Sequence, residues 1–393
     1  MFPEVYPFVC LILVLNQDQL QCCSLKNLKK IKVKLLKEGV KLIGRIVQNI
    51  ALFIVVLLVT GIAIQVATEK VGEPEKISYC VKSGELNPDE EGLVNMVRGV
   101  KCYLEFSLGV FKDEEKILIS RTYEGKTYQF YIPAPREFFI NWLKITPEKS
   151  IAMTISLLLL SMAIIFPLGL YWGLRAGHKG GISDRILLLL APIFSGVPGW
   201  FWGLIFLWVL WWRFDMGTVS YINYIQRVKA HGSAGLIDHF IALLIPVLAL
   251  TFANIVIYAF NVRNLVKQEV YEEYFLVDFL KGLPDRRIRR KLLRTVLPSF
   301  LTFTSYNFLN LVINGMAIEK LFDVPGLGYT LSNFLGRYFV ETNEGTWAPK
   351  LLFFPEGIFF VALVMAVLYF LNSTIMEALY FRLDPRRETY EEA

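Results

Sequence analysis

Six long stretches without Asp, Glu, Lys or Arg constrain this chain more than any other feature. They run from Ile46 to Thr68, Ser150 to Leu174, Ile186 to Trp212, His239 to Val262, Thr295 to Ile318 and Gly357 to Met376. A helix rises about 1.5 Å per residue, so each stretch can cross the roughly 30 Å of hydrocarbon in a bilayer. Since 54% of the residues are hydrophobic and only 19% are charged, we predict an all-α integral membrane protein with six transmembrane helices in the plasma membrane.

Basic residues crowd the flank before the first stretch and predict its orientation. The flank holds one acid, Glu38, against the bases Lys26, Lys29, Lys30, Lys32, Lys34, Lys37, Lys41 and Arg45. Because Lys and Arg near span ends are retained in the cytoplasm, residues 1–42 should be a cytoplasmic segment and residues 43–68 the first transmembrane helix. Six spans return the tail, residues 381–393, to the cytoplasm. The net charge of +6 then reflects topology, and we predict no nucleic-acid partner.

A short apolar run at residues 5–15 precedes this flank. It is too short to span a bilayer, and no basic residues precede it as they would in a signal peptide. It is either an interfacial segment or an upstream extension that the cell does not translate, and the sequence leaves the choice open.

Residues 69–149 form a polar insert between the first two spans, which is too long for a simple connection. The topology predicts that it lies outside, and we expect it to fold by itself. Two β-rich runs within residues 116–132 flank Glu124 and Gly125 and predict a hairpin, so the insert should be a small α/β or β fold. Cys80 and Cys102 lie in the insert, either as a disulfide or as two free thiols.

Motifs of bond-making chemistry are absent from the sequence. The chain contains no GxxxxGK[ST] phosphate loop, no HExxH and no GxSxG. It has three histidines, His178, His231 and His239, and no CxxC. We therefore predict no catalytic residue, no metal site and no cofactor in this chain.

One charged stretch, "EEYFLVDFLKGLPDRRIRRKLLRTVLPS" at residues 272–299, interrupts the apolar pattern. Aromatic residues recur at helical spacing and predict a short amphipathic helix: Tyr271, Tyr274, Phe275 and Phe279. Gly282 should end this helix in a left-handed turn, and Pro284 suits the first turn of the next helix. Such a helical hairpin either lies on anionic lipid or is a lever gripped by a soluble partner.

This stretch, as "EYFLVDFLKGLPDRRI…LRTVLP", resembles the cytoplasmic coupling loop of ABC-transporter permeases. A second motif, "EKLFDVPGLGYTL" at residues 319–331, is similar to the E-x-x-F-x-x-P-G-L-G signature of the permeases that import peptides, nickel and oligosaccharides. Further similar segments are residues 181–209, residues 244–264 and the run Asp384-Pro385-Arg386. The resemblance covers about residues 150 to 387, and a long insert after the first span is typical of the first of two paired permeases.

The resemblance implies a permease core with five transmembrane helices at residues 150–380 and a division of labour among subunits. The partners it implies are the lipid bilayer, a second permease in a heterodimer, two ABC ATPase subunits that carry ATP and Mg, and an external substrate-binding protein. The residues it assigns to ATPase coupling are Glu273, Tyr274, Asp278, Lys281, Gly282 and Leu283. The residues of the signature loop, which we define as residues 319–331, are Glu319, Phe322, Pro325, Gly326 and Gly328.

Two polar stripes occupy single helix faces of the fourth and fifth spans. Their members are Thr251, Asn254, Tyr258 and Asn261 in the fourth span and Thr304, Asn307, Asn310 and Asn314 in the fifth. An unpartnered amide in hydrocarbon costs several kcal/mol, so both stripes should avoid lipid. They either join helix to helix by hydrogen bonds or line a water-filled translocation path, and Asn307 and Asn310 are the first candidates for the path.

An ion-coupled secondary transporter or channel is the alternative function. Such proteins usually carry ionisable residues within their spans, and here only His239, at the end of a stretch, qualifies. The solute stays open among peptides, oligosaccharides and nickel. The tryptophans of residues 200–212 either stack on sugars or anchor helix ends at the membrane interface.

Overall fold

The structure, a computed structural model, describes residues 25–70, 78–83, 85–86, 93–114, 116–123, 126–213, 219–341, 347–351 and 353–383. The chain divides into two compact units, Met1–Val55 and Val56–Ala393. The apolar run at residues 5–15, the turn residues Glu124 and Gly125, and the Asp384-Pro385-Arg386 motif lie outside the described residues.

The described elements follow one another in this order: α1 (Leu25–Lys70), α2 (Tyr79–Ser83), α3 (Leu93–Gly109), β1 (Lys116–Tyr123), β2 (Lys126–Pro133), α4 (Pro135–Leu143), α5 (Pro147–Lys179), α6 (Ile182–Gly196), α7 (Gly199–Arg213), α8 (Tyr221–His231), α9 (Leu236–Val270), α10 (Glu273–Leu280), α11 (Asp285–Leu321), α12 (Leu327–Phe334), β3 (Arg337–Glu341), β4 (Trp347–Leu351) and α13 (Pro355–Leu383). Most of this chain is therefore helical, as its sequence predicts.

Five described helices are long and apolar enough to cross a membrane. The segments that meet this test are Val47–Thr68 of α1, all of α5, α9 and α11, and Pro355–Met376 of α13. They coincide with the first, second, fourth, fifth and sixth charge-free stretches. An all-α membrane protein is thus confirmed, with five continuous spans and one further stretch of a different form.

The third stretch is a bent pair of helices and not one continuous helix from Ile186 to Trp212, so the described residues contain five spans, or the six predicted if this pair is one broken span. Helices α6 and α7 meet at an angle of 101°. Pro198 lies at the break, and a proline lacks an N–H and disfavours helical backbone at the residue before it. Val197 is accordingly extended, with φ −110° and ψ 129°. At 15 residues each, the two helices are about 22 Å long, which is shorter than the hydrocarbon core.

Small residues bring the second and fourth spans into close contact. A methyl group added at Gly173 of α5 would lie 2.5 Å from the carbonyl oxygen of Ala259 in α9, and one added at Gly177 would lie 2.7 Å from Val266. Glycines four residues apart let two helix backbones approach, which is the usual packing device in membranes. Helix α11 packs on the same assembly, where the ring of Phe300 lies 6.0 Å from that of Tyr258.

The insert between α1 and α5 is an α/β fold. Strands β1 and β2 pair antiparallel with Tyr123 opposite Lys126, which confirms the predicted hairpin. Cys80 of α2 and Cys102 of α3 are joined by a disulfide, which the sequence alone left open. The backbone N–H of Cys80 donates to Glu356 Oε1 at 2.9 Å, which ties the insert to the start of α13. A second antiparallel hairpin, β3 and β4, follows α12 and was not predicted.

Candidate functional site

The charged stretch folds as the predicted helix, turn and helix. Helix α10 ends at Leu280, and Gly282 takes φ +65°, the left-handed value that glycine adopts without strain. Pro284 occupies the cap position of α11, with φ −65° and ψ 142°. No described residue lies within 4 Å of a methyl group added at Gly282, so the glycine is needed for its backbone conformation. We call residues 271–285 the coupling segment.

Helix α10 is anchored to the spans by its inner face. Phe275 is fully buried, and Asp278, 8% exposed, accepts a hydrogen bond from Lys291 of α11. The hydroxyl of Tyr274 donates to Glu269 at the end of α9. The predicted coupling residues therefore fall into two groups. Tyr274 and Asp278 face the protein, and Leu283 is half-buried. The exposed ones are Glu273, Lys281 and Gly282.

A second contact ties α10 to the end of α5. The His178 ring lies parallel to that of Phe279, with ring centres 5.9 Å apart. Its Nε2 lies 2.7 Å from Asp285 Oδ1, at the start of α11. Lys179 Nζ lies 3.1 Å from the other oxygen of Asp285. The coupling segment thus touches α5, α9 and α11, and no sequence pattern indicates the role of His178 in this junction.

The outer face of α10 is largely apolar and exposed, although Phe279 also stacks on His178. The exposed fractions are 80% for Tyr271, 58% for Leu276, 44% for Val277, 48% for Phe279 and 79% for Leu280. Of these residues, the predicted coupling set contains none. Phe275 and Asp278 lie on the opposite, buried side of the helix. The helical period therefore predicts these exposed residues once the buried side is known.

The signature loop closes upon itself around Glu319. Glu319 is fully buried near the end of α11, and its Oε2 accepts the N–H of Gly328 at 2.7 Å. The next hydrogen bonds reach α5: the N–H of Leu327 donates to Thr154 Oγ1 at 2.8 Å, and the Thr330 and Ser150 hydroxyls lie 2.7 Å apart. The loop therefore connects the C-terminal end of α11 to the start of α5 through hydrogen bonds.

The two predicted glycines of this loop are needed for close approach. A methyl group at Gly328 would overlap the carbonyl of Met316, and one at Gly326 would overlap the carboxyl group of Glu319. Phe322 is fully buried and Pro325 is buried as well. All five predicted signature residues thus lie together, where they hold the loop.

Helix α8 is joined to the same loop through Tyr221. Its N–H donates to the carbonyl oxygen of Phe322 at 2.9 Å. Its hydroxyl lies 2.6 Å from His239 Nδ1 at the start of α9. Burial raises the pKa of Tyr221 to about 12, so the hydroxyl keeps its proton in the physiological range and is able to donate a hydrogen bond.

The polar stripe of the fourth span lies inside this chain. Thr251, Asn254 and Tyr258 are exposed by 6%, 3% and 1%. Asn254 Nδ2 donates to the carbonyl oxygen of Leu250 at 2.8 Å. The Tyr258 ring packs edge-on against Phe303, with centres 5.3 Å apart. Asn261 is half-buried, so in this conformation the stripe packs helix against helix.

The stripe of the fifth span is divided. Thr304 and Asn314 are buried at 1% and 4% exposure, and Asn307 is half-buried, whereas Asn310 is exposed. Asn310 belongs to an exposed face of α11 with further polar residues three or four positions apart, which we did not predict: Ser299, Thr302 and Tyr306. Lys320 is exposed near the C-terminal end of the same helix. Tyr306 is 79% exposed. This face carries hydroxyl and amide groups at membrane depth, where lipid would leave them without partners.

No group of three or more His, Cys, Asp or Glu among the described residues could hold a metal ion.

A groove of about 400 Å³ lies at the end of the exposed face of α11, against α12 and α13.

The sequence of this chain matches a family model and several known proteins. A family model described as "Binding-protein-dependent transport system inner membrane component" matches residues 165–389. The nickel import system permease protein NikB of Staphylococcus aureus (strain bovine RF122 / ET3-1) is 25% identical over 264 residues, which cover 67% of this chain and 68% of the relative. A putative peptide transport system permease protein of Brucella abortus (strain 2308) is 26% identical over 240 residues, which cover 61% of this chain and 69% of the relative.

Proposed function

This chain belongs to the family of binding-protein-dependent transport system inner membrane components, and from that premise we propose that it carries peptides into the cell in a complex driven by partner ATPases. It is a multi-pass protein of the plasma membrane and a permease subunit of an ABC importer. The proposed partners are a second permease, with which it forms a heterodimer, two ABC ATPase subunits and an external substrate-binding protein. ATP and Mg would bind the ATPase subunits, so this chain catalyses no bond chemistry.

The uncovered apolar face of α10 is the observation that carries the proposal. An apolar face of a short helix is suited to a groove in a protein partner. Leu276, Phe279 and Leu280 expose large apolar surface outside the spans, and each would contribute about 1.5–3 kcal/mol when fully buried. A folded ATPase subunit is the partner that offers such a groove and supplies energy for transport.

The anchors of α10 give a route for the motion. A displacement of α10 would act on α11 through Lys291, on α9 through Glu269 and on α5 through His178. Since Phe275 is fully buried, α10 would move with these spans as a rigid body. Small shifts at such a junction can tilt packed helices between discrete arrangements.

The proposed orientation puts the N-terminus and the coupling segment in the cytoplasm and the insert outside. The Cys80–Cys102 disulfide supports this orientation, because disulfides persist in oxidising compartments and are rare in the cytosol. Single cysteines on a background with Cys10, Cys22 and Cys23 replaced by serine would test it in intact cells. An impermeant thiol reagent should label Lys112→Cys, in the insert, and should spare Arg286→Cys, and the opposite pattern would refute this topology.

The solute is proposed to be a peptide, with nickel as the second candidate. Amide and hydroxyl groups on the exposed face of α11 can hydrogen-bond weakly with successive peptide groups without selecting a side chain. The S. aureus relative, named as a nickel import permease, favours the second candidate. Some of these groups, Asn307 and Asn310 foremost, would line the path, while the buried stripe of α9 would be reached only after the helices move.

Uptake by the reconstituted complex tests the proposal. The permeases, the ATPases and the binding protein are placed in proteoliposomes, and uptake of labelled peptides, radioactive nickel and oligosaccharides is compared with ATP or ADP inside. Peptide uptake that requires both ATP and the binding protein is expected. ATP-independent uptake driven by an ion gradient would instead favour a secondary transporter, and nickel uptake without peptide uptake would reverse the assigned solute.

A further inference from the structure

The exposed face of α11 leads to the groove at its end. Tyr306, Asn310 and Ile313 lie along this face, and of these three residues Ile313 lines the groove. In the proposed orientation α11 runs outward, so Lys320 lies near the outer end of the path. A solute released by an external binding protein would meet the groove before the amides of the span.

The lining of the groove is apolar and adaptable. Two methionines, Met316 of α11 and Met365 of α13, face it together with Leu331 of α12. Methionine is unbranched and flexible, so a wall that contains it can accommodate side chains of different shape. The volume of about 400 Å³ suits one or two residues of a peptide rather than a hydrated ion.

One cation, Lys320, stands in this lining. Its Nζ lies 5.3 Å from the centre of the Tyr329 ring, and the side chain is exposed. No carboxylate of the described residues forms an ion pair with it. An ammonium group beside an apolar wall and an aromatic ring favours an anion, repels a free divalent cation and gains little from a neutral sugar.

We infer that this groove binds the terminal carboxylate of a peptide, with the Lys320 ammonium as its partner and the adjoining side chain between Met316 and Met365. The inference rests on the proposed function, since it specifies the part of the peptide that this permease recognises. Recognition of a group common to all peptides, with an adaptable wall for the variable side chain, gives a site of broad specificity.

Two peptides that differ only in a free or an amidated C-terminus provide the test. They are chosen so that the isolated binding protein binds both equally, and their uptake is measured in the reconstituted complex. Wild type should prefer the free carboxylate about tenfold in the concentration for half-maximal uptake, as a charge-assisted hydrogen bond allows. Lys320→Met should abolish the preference and Lys320→Arg should retain most of it. Lys112→Met, an exposed lysine in the insert, is the matched control and should behave as wild type.

Accessibility of the groove gives a second measurement that does not require the Lys320 variants to fold. Ser332 lines the groove and is half-buried. Ser332→Cys should react with an impermeant thiol reagent in the complex, and the binding protein loaded with the acid peptide should protect it more than the same protein loaded with the amide. A cysteine that is unreactive in every state would mean that another subunit covers the groove, and this would overturn the inference.

The outcomes separate this inference from the proposed function. Peptide uptake with the same carboxylate preference in wild type and Lys320→Met would overturn the inference and leave peptide transport intact. Nickel uptake without any peptide uptake would overturn both.

Discussion

The signature loop and the coupling segment carry the two most specific motifs of this chain, but the protein holds them in different ways. In the signature loop, the buried carboxylate of Glu319 accepts the N–H of Gly328, and the hydroxyl of Thr154 accepts the N–H of Leu327. In the coupling segment, one face of α10 is anchored by Phe275, while Leu280 on the other face is 79% exposed.

The difference separates residues that fold the chain from residues that need a partner. The loop finds its hydrogen bonds and its packing within this chain, so its substitutions should act on stability. Apart from the contact between Phe279 and His178, the outer face of α10 consists of exposed side chains, so its substitutions should act on assembly and transport. Four substitutions test this division, and they are arranged by their expected effect on the stability of the isolated permease.

Gly328→Ala should have the largest effect. Its methyl group would overlap the backbone carbonyl of Met316, which cannot move as a flexible side chain would. We expect a loss of about 3 kcal/mol in the free energy of unfolding, at the upper end for overpacking. Thermal unfolding of the purified permease in detergent measures it. Gly196→Ala, where no described residue lies within 4 Å of the added carbon, is the control. Equal losses in the two variants would contradict the steric explanation.

Glu319→Gln should have the next largest effect, about 1–2 kcal/mol. One oxygen can still accept the N–H of Gly328, but the new amide N–H groups would enter a fully buried site beside Gly326. The measurement is again thermal unfolding in detergent. Glu272→Gln changes an exposed carboxylate next to α10 and should cost less than about 0.5 kcal/mol. If the exposed change were the more damaging one, the loop would not be the part that stabilises the fold.

Gly282→Val should cost about 1–2 kcal/mol and abolish coupled transport. A β-branched residue strongly resists φ +65°, so the end of α10 would be displaced although the added carbon meets nothing. Gly282→Ala should be milder, because alanine enters the left-handed region at lower cost. Solute-stimulated ATP hydrolysis and uptake in proteoliposomes measure the coupling. Full activity of the valine variant would show that the turn is not part of the coupling contact.

Leu280→Ser should leave the stability of the isolated permease within about 0.5 kcal/mol of wild type. It should nevertheless weaken binding of the ATPase subunits by about tenfold or more, since the leucine side chain would be buried only in the complex. Titration of the permease with ATPase subunits in detergent or nanodiscs measures this binding. Leu236→Ser, at a similarly exposed leucine that begins α9, is the control. Unchanged ATPase binding by Leu280→Ser would remove α10 from the proposed interface.

Local chemistry made much of this fold predictable. The absence of charged residues predicted the five continuous spans. Gly282 and Pro284 predicted the turn of the coupling segment, because the backbone preferences of glycine and proline do not depend on the surroundings. Pro198 also indicates a break by its local backbone preference. We did not predict this break, because the stretch around it is free of charge and suggested one span. The disulfide could not be derived, because it depends on how α2 and α3 pack.

The burial of individual residues in the candidate sites could not be predicted from the sequence. Helical periodicity placed Thr304, Asn307, Asn310 and Asn314 along one side of α11, but it could not state which of them neighbouring helices would cover. Packing decided that Thr304 and Asn314 are buried while Asn310 is exposed. In the same way, the sequence identified α10 as amphipathic, and only the tertiary structure put Asp278 against Lys291 and left Leu280 uncovered. The sequence by itself determined which side chains share a face, since the helical period is local, whereas the tertiary structure decided which face is buried, since burial depends on segments far away in the chain.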